Sequence, residues 1–160
     1  MDQRLEVTRH IAARPEQVFA VLCDPQGHVA IDASGMLQDA DGEVVSAVGD
    51  SFVVHMDREA LGDIDWTTYD VTVQIIVFEQ DREIAWDVLG RLRPQIGHFY
   101  GYRLEPAEDG KGTLVTSYYD WSQIHEDYRD KLDFPIISET SLKATLGILD
   151  RTVRRGYPQG

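Results

Sequence analysis

The chain has 160 residues, of which 42% are apolar and 27% charged, a length and composition that suit one soluble globular domain able to bury a core without a metal or disulfide staple. Asp and Glu number 28 against 15 Lys and Arg, a formal charge of −13, which disfavours nucleic acid and anionic lipid headgroups as partners. The single cysteine, Cys23, leaves no internal disulfide; no apolar run nears the roughly 20 residues of a membrane span; and Met1-Asp2-Gln3-Arg4 lacks a signal peptide's apolar core. A cytoplasmic protein with no stable membrane insertion is expected.

Leu5, Val7, Arg9 and Ile11 alternate with Arg4, Glu6, Thr8 and His10, the period of a strand. Pro15 and Glu16 then suit the first turn of a helix, with Val18, Phe19, Val21 and Leu22 as its apolar face. Asp24-Pro25 stops that helix and caps a second short one over residues 26–31. Asp39-Ala40-Asp41-Gly42 and Gly49-Asp50 read as turns. Ser51 to Met56 alternates, Glu59 to Asp65 reads as an acidic loop, and Trp66 to Phe78 is a long run of β-branched and aromatic residues. After a tight turn at Gln80-Asp81, Ile84, Trp86 and Val88 form one phase of the next strand. His98, Tyr100, Tyr102 and Leu104 share a phase over 97–105; Val115, Ser117, Tyr119 and Trp121 share one over 113–121, across the loop from Pro106 to Gly112. Asp133-Phe134-Pro135 opens the last element, where Leu142, Leu146, Leu149 and Val153 make a helical stripe ended by Gly156. Strands in a run with segregated helices imply an α+β class.

Several segments in register resemble the START-like superfamily, the helix-grip fold of the polyketide cyclase/dehydrase and lipid-transport proteins. They are Ile11-Ala12-Ala13-Arg14-Pro15-Glu16-Gln17-Val18-Phe19, Val48-Gly49-Asp50-Ser51-Phe52, Trp66 to Val71 with Ile84-Ala85-Trp86-Asp87-Val88, Tyr102-Arg103-Leu104-Glu105-Pro106 with Gly112-Thr113-Leu114-Val115-Thr116, and Leu146-Gly147-Ile148-Leu149. The resemblance spans residues 4–155, and the subgroup it is most similar to holds small actinobacterial-type proteins. It implies a curved antiparallel sheet of about six or seven strands wrapped around a long C-terminal helix, two short helices after the first strand, and a cavity between sheet and helix. Members of the superfamily bind lipids, sterols, hormones or polyketides there. Some are cyclases and some are co-chaperones, so the fold alone does not choose a function.

The expected ligand-binding set follows from the inward phases: Phe52, Val54, Val71, Val73, Trp86, Tyr100, Tyr102, Ser117, Tyr119, Trp121, Leu142, Leu146 and Leu149. Rings with a few hydroxyls around an apolar space suit a hydrophobic or aromatic small molecule of lipid, polyketide or isoprenoid type. A second reading is a polyketide cyclase/dehydratase, with His98, Tyr100 and Tyr119 as catalytic candidates, because enolisation needs donors where enolate charge develops. A third is a co-chaperone-like interaction module using the acidic patch of Asp57, Glu59, Asp63 and Asp65. The histidines are scattered and read as surface residues; His28 and Asp32 share a helical face but lack further ligands for a metal. Asp39 to Glu43 departs from a calcium loop at Val44 and Asp50. No metal and no cofactor is expected, Cys23 reads as a buried small hydrophobe, and an exposed strand edge would permit a homodimer. A β-bulge would invert every inside and outside assignment beyond it.

Overall fold

In the computed structural model, which describes residues 2–62 and 66–158, the first alternating segment forms β1 (Arg4–Ile11). Pro15 opens α1 (Pro15–Cys23), and the Arg14 backbone N–H donates to Gln17 Oε1 at 2.9 Å, closing the first turn. Asp24 ends α1 and caps α2 (Pro25–Ile31), its Oδ1 accepting from the Gln26 N–H at 3.0 Å. Six strands follow: β2 (Leu37–Asp41), β3 (Ser51–Asp57), β4 (Thr68–Glu79), β5 (Glu83–Leu89), β6 (Phe99–Pro106) and β7 (Thr113–Asp120). The long helix α3 (Glu139–Arg155) closes the chain.

The strands form one antiparallel sheet in the order β1-β7-β6-β5-β4-β3-β2. Neighbours along β2 to β7 are hairpin-related, while β1 crosses to pair with β7, Val7 opposite Ser117 and Leu5 opposite Tyr119. α1 and α2 occupy the connection between β1 and β2, and α3 packs on both of them and on β1 and β7. This is the helix-grip fold: a curved sheet gripping a C-terminal helix. Leu146 and Leu149 are buried with Phe19, Leu22, Ile84 and Val115 in the core on the concave side.

Three details differ from the sequence reading. The segment read as a turn at Asp39-Ala40-Asp41 belongs to the edge strand β2, which holds no β-branched residue and is tied down instead by Gln26, whose Nε2 donates to Asp39 Oδ1 at 3.0 Å and to the Ala40 carbonyl at 2.8 Å. The last helix begins at Glu139 rather than near Pro135, because Ser138 caps it: its Oγ accepts from the Ser141 N–H at 3.1 Å. A bulge does occur, between Ile75 and Val77 in β4. It moves the inward phase from Val71, Val73 and Ile75 to Phe78, which meets the Phe19 ring at 5.4 Å. Val71 and Val73 precede it and keep their inward phase.

The outer face of the sheet has one tight feature. Tyr118 pairs with Gly101 across β6 and β7, and its ring lies over that glycine, 1% exposed. Arg4 stands 4.2 Å above the ring and the Tyr118 hydroxyl donates to Glu83 Oε2. A Cβ on Gly101 would lie 2.3 Å from Tyr118 Cζ. Gly101→Ala is therefore expected to lower stability by about 2 kcal/mol through overpacking, read as a fall in the urea midpoint at constant slope. A wild-type midpoint would contradict this packing.

Candidate functional site

The register of β3 to β7 aligns the residues that build the site. Val54 pairs with Val71, Val73 with Val88, Trp86 with Tyr100, and Tyr102 with Ser117. These side chains, with Leu142 on α3, surround a cavity of about 280 Å³ between the sheet and the helix. The valines form an apolar floor. Trp86, Tyr100 and Tyr102 form an aromatic wall: the Tyr100 ring is 6.3 Å from Trp86 and inclined by 14°, the Tyr102 ring 5.9 Å away and inclined by 25°. On α3 the short side chains of Ser141 and Thr145 face the space beside Leu142. One and two turns further along, Leu146 and Leu149 fill it as solid core.

Eight members of the expected set thus lie on the wall: Val54, Val71, Val73, Trp86, Tyr100, Tyr102, Ser117 and Leu142. Phe52, Tyr119, Trp121, Leu146 and Leu149 stand outside it. Phe52 packs against the His28 ring at 4.9 Å. Trp121, beyond the end of β7, stacks on Tyr119 at 5.7 Å. Of the catalytic candidates only Tyr100 borders the cavity; His98 and Tyr119 are turned to each other, Nδ1 to Oη 2.6 Å, behind the wall. Burial keeps the Tyr119 phenol well above its usual range and lowers His98 to about 4, so a neutral hydroxyl meets a neutral ring.

The sequence reading missed part of the lining. Met56 and Val88 lie on inward phases already recognised, while Met36 and Leu37 come from the segment after α2 and Ile137 precedes α3, where no periodicity marks them. The larger omission is His28. Read as a surface residue, it is 6% exposed, because α2 lays its ring against Phe52 and against Trp86 at 4.6 Å. Its Nε2 is 2.8 Å from the Leu22 carbonyl oxygen, which only accepts, so Nε2 carries the proton. Burial lowers His28 to about 4.

A second hollow, about 450 Å³, opens on the surface beside Gln38, Asp57, Thr68 and Tyr69. His55 borders it and bridges two carboxylates, Nδ1 to Asp70 at 2.7 Å and Nε2 to Asp41 at 2.6 Å, joining edge strand β2 to β3 and β4. Hydrogen bonds to Asp41 and Asp70 raise His55 to about 9. Of the expected acidic patch, Asp57 ends β3 and Glu59 starts a single 3₁₀ turn; Asp63 and Asp65 lie outside the described residues. Cys23 is buried and its thiol is pushed up to about 12, chiefly by desolvation. Among the described residues no group of three or more His, Cys, Asp or Glu is placed to hold a metal ion, and no helix is long and apolar enough to cross a membrane.

No family model matches the chain, and no curated protein matches it. Solved structures of the same fold do. Protein CV1439 from Chromobacterium violaceum is 15% identical with a TM-score of 0.68, covering 99% of this chain and 100% of that one. The Aha1 dimer from Colwellia psychrerythraea is 16% identical with a TM-score of 0.63, covering 96% and 97%. DynU16, a protein of the dynemicin biosynthetic locus, is 15% identical with a TM-score of 0.61; the match covers 99% of this chain and 49% of DynU16. The chain therefore has the START-like, helix-grip fold that its sequence resembles.

The histidines give a pH prediction. His28 and His98 have folded values near 4, below the ordinary 6.5, so protonation favours the unfolded chain and their effect lowers stability as pH falls from 6.5 towards 4. His55 has the opposite sign: its contribution is complete below about 6.5 and is lost as pH rises through about 9. Ring ¹⁵N NMR should show His28 and His98 titrating near 4 and His55 near 9, with Asp41→Asn lowering the His55 midpoint. Midpoints clustered at the ordinary value would contradict the assigned contacts.

Proposed function

We propose that this protein binds a compact, largely apolar small molecule in the cavity between the sheet and α3. The observation that carries the reading is the cavity itself, about 280 Å³ with a valine floor, an aromatic wall and few polar groups. That volume sits at the small end of the range for ligand pockets, roughly 300–1,000 Å³. It favours a compact polyketide- or isoprenoid-sized body over a long-chain lipid. The polyketide cyclase/dehydratase reading has less support, because His98 and Tyr119 satisfy each other behind the wall and only Tyr100 reaches the cavity. The co-chaperone-like reading has less support, because of its acidic patch only Asp57 and Glu59 lie among the described residues.

Native mass spectrometry of the protein purified from its own host tests the proposal. A reproducible extra mass that disappears on denaturation is expected. Val88→Trp, which adds an indole to the cavity floor, is expected to abolish that extra mass while leaving the far-UV spectrum unchanged. A bare native mass, or an extra mass that survives Val88→Trp, would count against binding in this cavity.

A further inference from the structure

The polar groups of the cavity are few and unequal, and together they narrow the ligand. The Leu22 carbonyl fixes the His28 tautomer with the proton on Nε2. Nδ1 is then a bare acceptor, and it has no hydrogen-bond partner among the described residues. The ring is almost wholly buried and forms part of the cavity wall, and Nδ1 is not sealed off from open space. An acceptor left unpaired in an apolar surrounding is unfavourable, and a donor brought by a ligand relieves it.

The other lining groups exclude charge. No Lys or Arg lines the cavity among the described residues. The one carboxylate there, Asp32, is occupied as a loop staple: Oδ1 accepts from the Ser34 N–H at 3.0 Å and from Ser34 Oγ at 2.6 Å, and Oδ2 accepts from the Leu37 N–H at 3.0 Å. An anionic ligand would meet Asp32 with no cation to offset it, inside a chain of net charge −13. A cationic ligand would meet only Asp32, already holding three hydrogen bonds, and would lose its hydration in an otherwise largely apolar space. The near-parallel Trp86, Tyr100 and Tyr102 rings meanwhile stack beside one another and give the cavity an aromatic side.

We infer that the cavity selects an uncharged and compact molecule bearing a hydroxyl group, which donates a hydrogen bond to His28 Nδ1. This rests on the cavity-binding reading of the preceding section and assigns His28 as the residue that sets specificity. The Tyr100 hydroxyl, which also has no partner among the described residues, offers a second polar contact to the ligand's other end.

Three naphthalene probes separate the possibilities: 2-naphthol, 2-fluoronaphthalene, which matches its size without a donor, and 2-naphthoate, which replaces the hydroxyl by a carboxylate. Affinities are read from tryptophan fluorescence. Wild type is expected to prefer 2-naphthol over 2-fluoronaphthalene by about tenfold, the scale of one buried hydrogen bond, and to bind 2-naphthoate about tenfold or more weakly than the naphthol. The His28 Nδ1 ¹⁵N resonance is expected to shift with 2-naphthol alone. In His28→Phe the naphthol preference disappears, the two neutral probes binding equally; should that variant not fold, the wild-type ratio and the ¹⁵N shift still decide. Equal binding of naphthol and fluoronaphthalene by wild type overturns the role of His28 and leaves the cavity reading standing. Binding of none of the three overturns both.

Discussion

Asp150 holds α3 against the sheet, and the cavity exists only because α3 sits where it does. This carboxylate is buried beside Leu149 and accepts from Arg9 Nε on β1 at 2.8 Å and from Arg154 Nε at 2.6 Å. Burial alone would raise its pKa; the hydrogen bonds and charges of Arg154 and Arg9 outweigh that and lower it. A buried charge met by two guanidinium groups tolerates little displacement, because loss of either partner strands it in apolar surroundings. β1 is itself fixed at its far end, where Arg4 Nε donates to Asp120 Oδ2 at 3.0 Å at the β7 edge. The one non-sequential strand pairing and the helix above it are thus clamped by ion pairs.

From that seat the two halves of α3 have different tasks. Its C-terminal half presents Leu146 and Leu149 to the concave core, where close packing leaves no room for a guest. Its N-terminal half presents Ser141 and Thr145 beside Leu142, and those short side chains do not reach the valine floor. Facing them, the register of β5 and β6 brings Trp86, Tyr100 and Tyr102 together as stacked rings, against which α2 lays His28. The space is therefore a consequence of side-chain length along one helix as much as of sheet curvature. The resulting polarity is one fixed acceptor, one unpartnered phenol, a Tyr102 hydroxyl beside Ser117, the hydroxyls of Ser141 and Thr145, and the Asp32–Ser34 loop staple.

Much of the architecture was legible in the residues, because period-two alternation and the leucine stripe of α3 both report burial directly. The inward phases of β3, β5, β6 and β7 follow from alternation, and so do the wall residues Trp86, Tyr100 and Tyr102. What escaped was whatever tertiary contact decides. β2 carries no strand propensity in Gln38-Asp39-Ala40-Asp41 and exists because β3 and Gln26 hold it. His28 gives no sign of burial in sequence, since only the docking of a two-turn helix onto Phe52 and Trp86 encloses it. The division between Leu142 as lining and Leu146 as core is equally invisible, because a stripe gives a face and not the depth behind it. The bulge at Ile75–Val77 changed only the residues beyond it, and the cavity floor at Val71 and Val73 precedes it.

An open, largely apolar space, rather than a filled core, lies between the sheet and the first turns of α3. Xenon enters such spaces without needing any polar recognition. Methyl ¹³C NMR under xenon pressure reports it residue by residue. Shifts are expected at Val54, Val71, Val73 and Leu142, with Val18, Val115, Leu146 and Leu149 unmoved. No response at the first four methyl groups, or the same response at all eight, would contradict it.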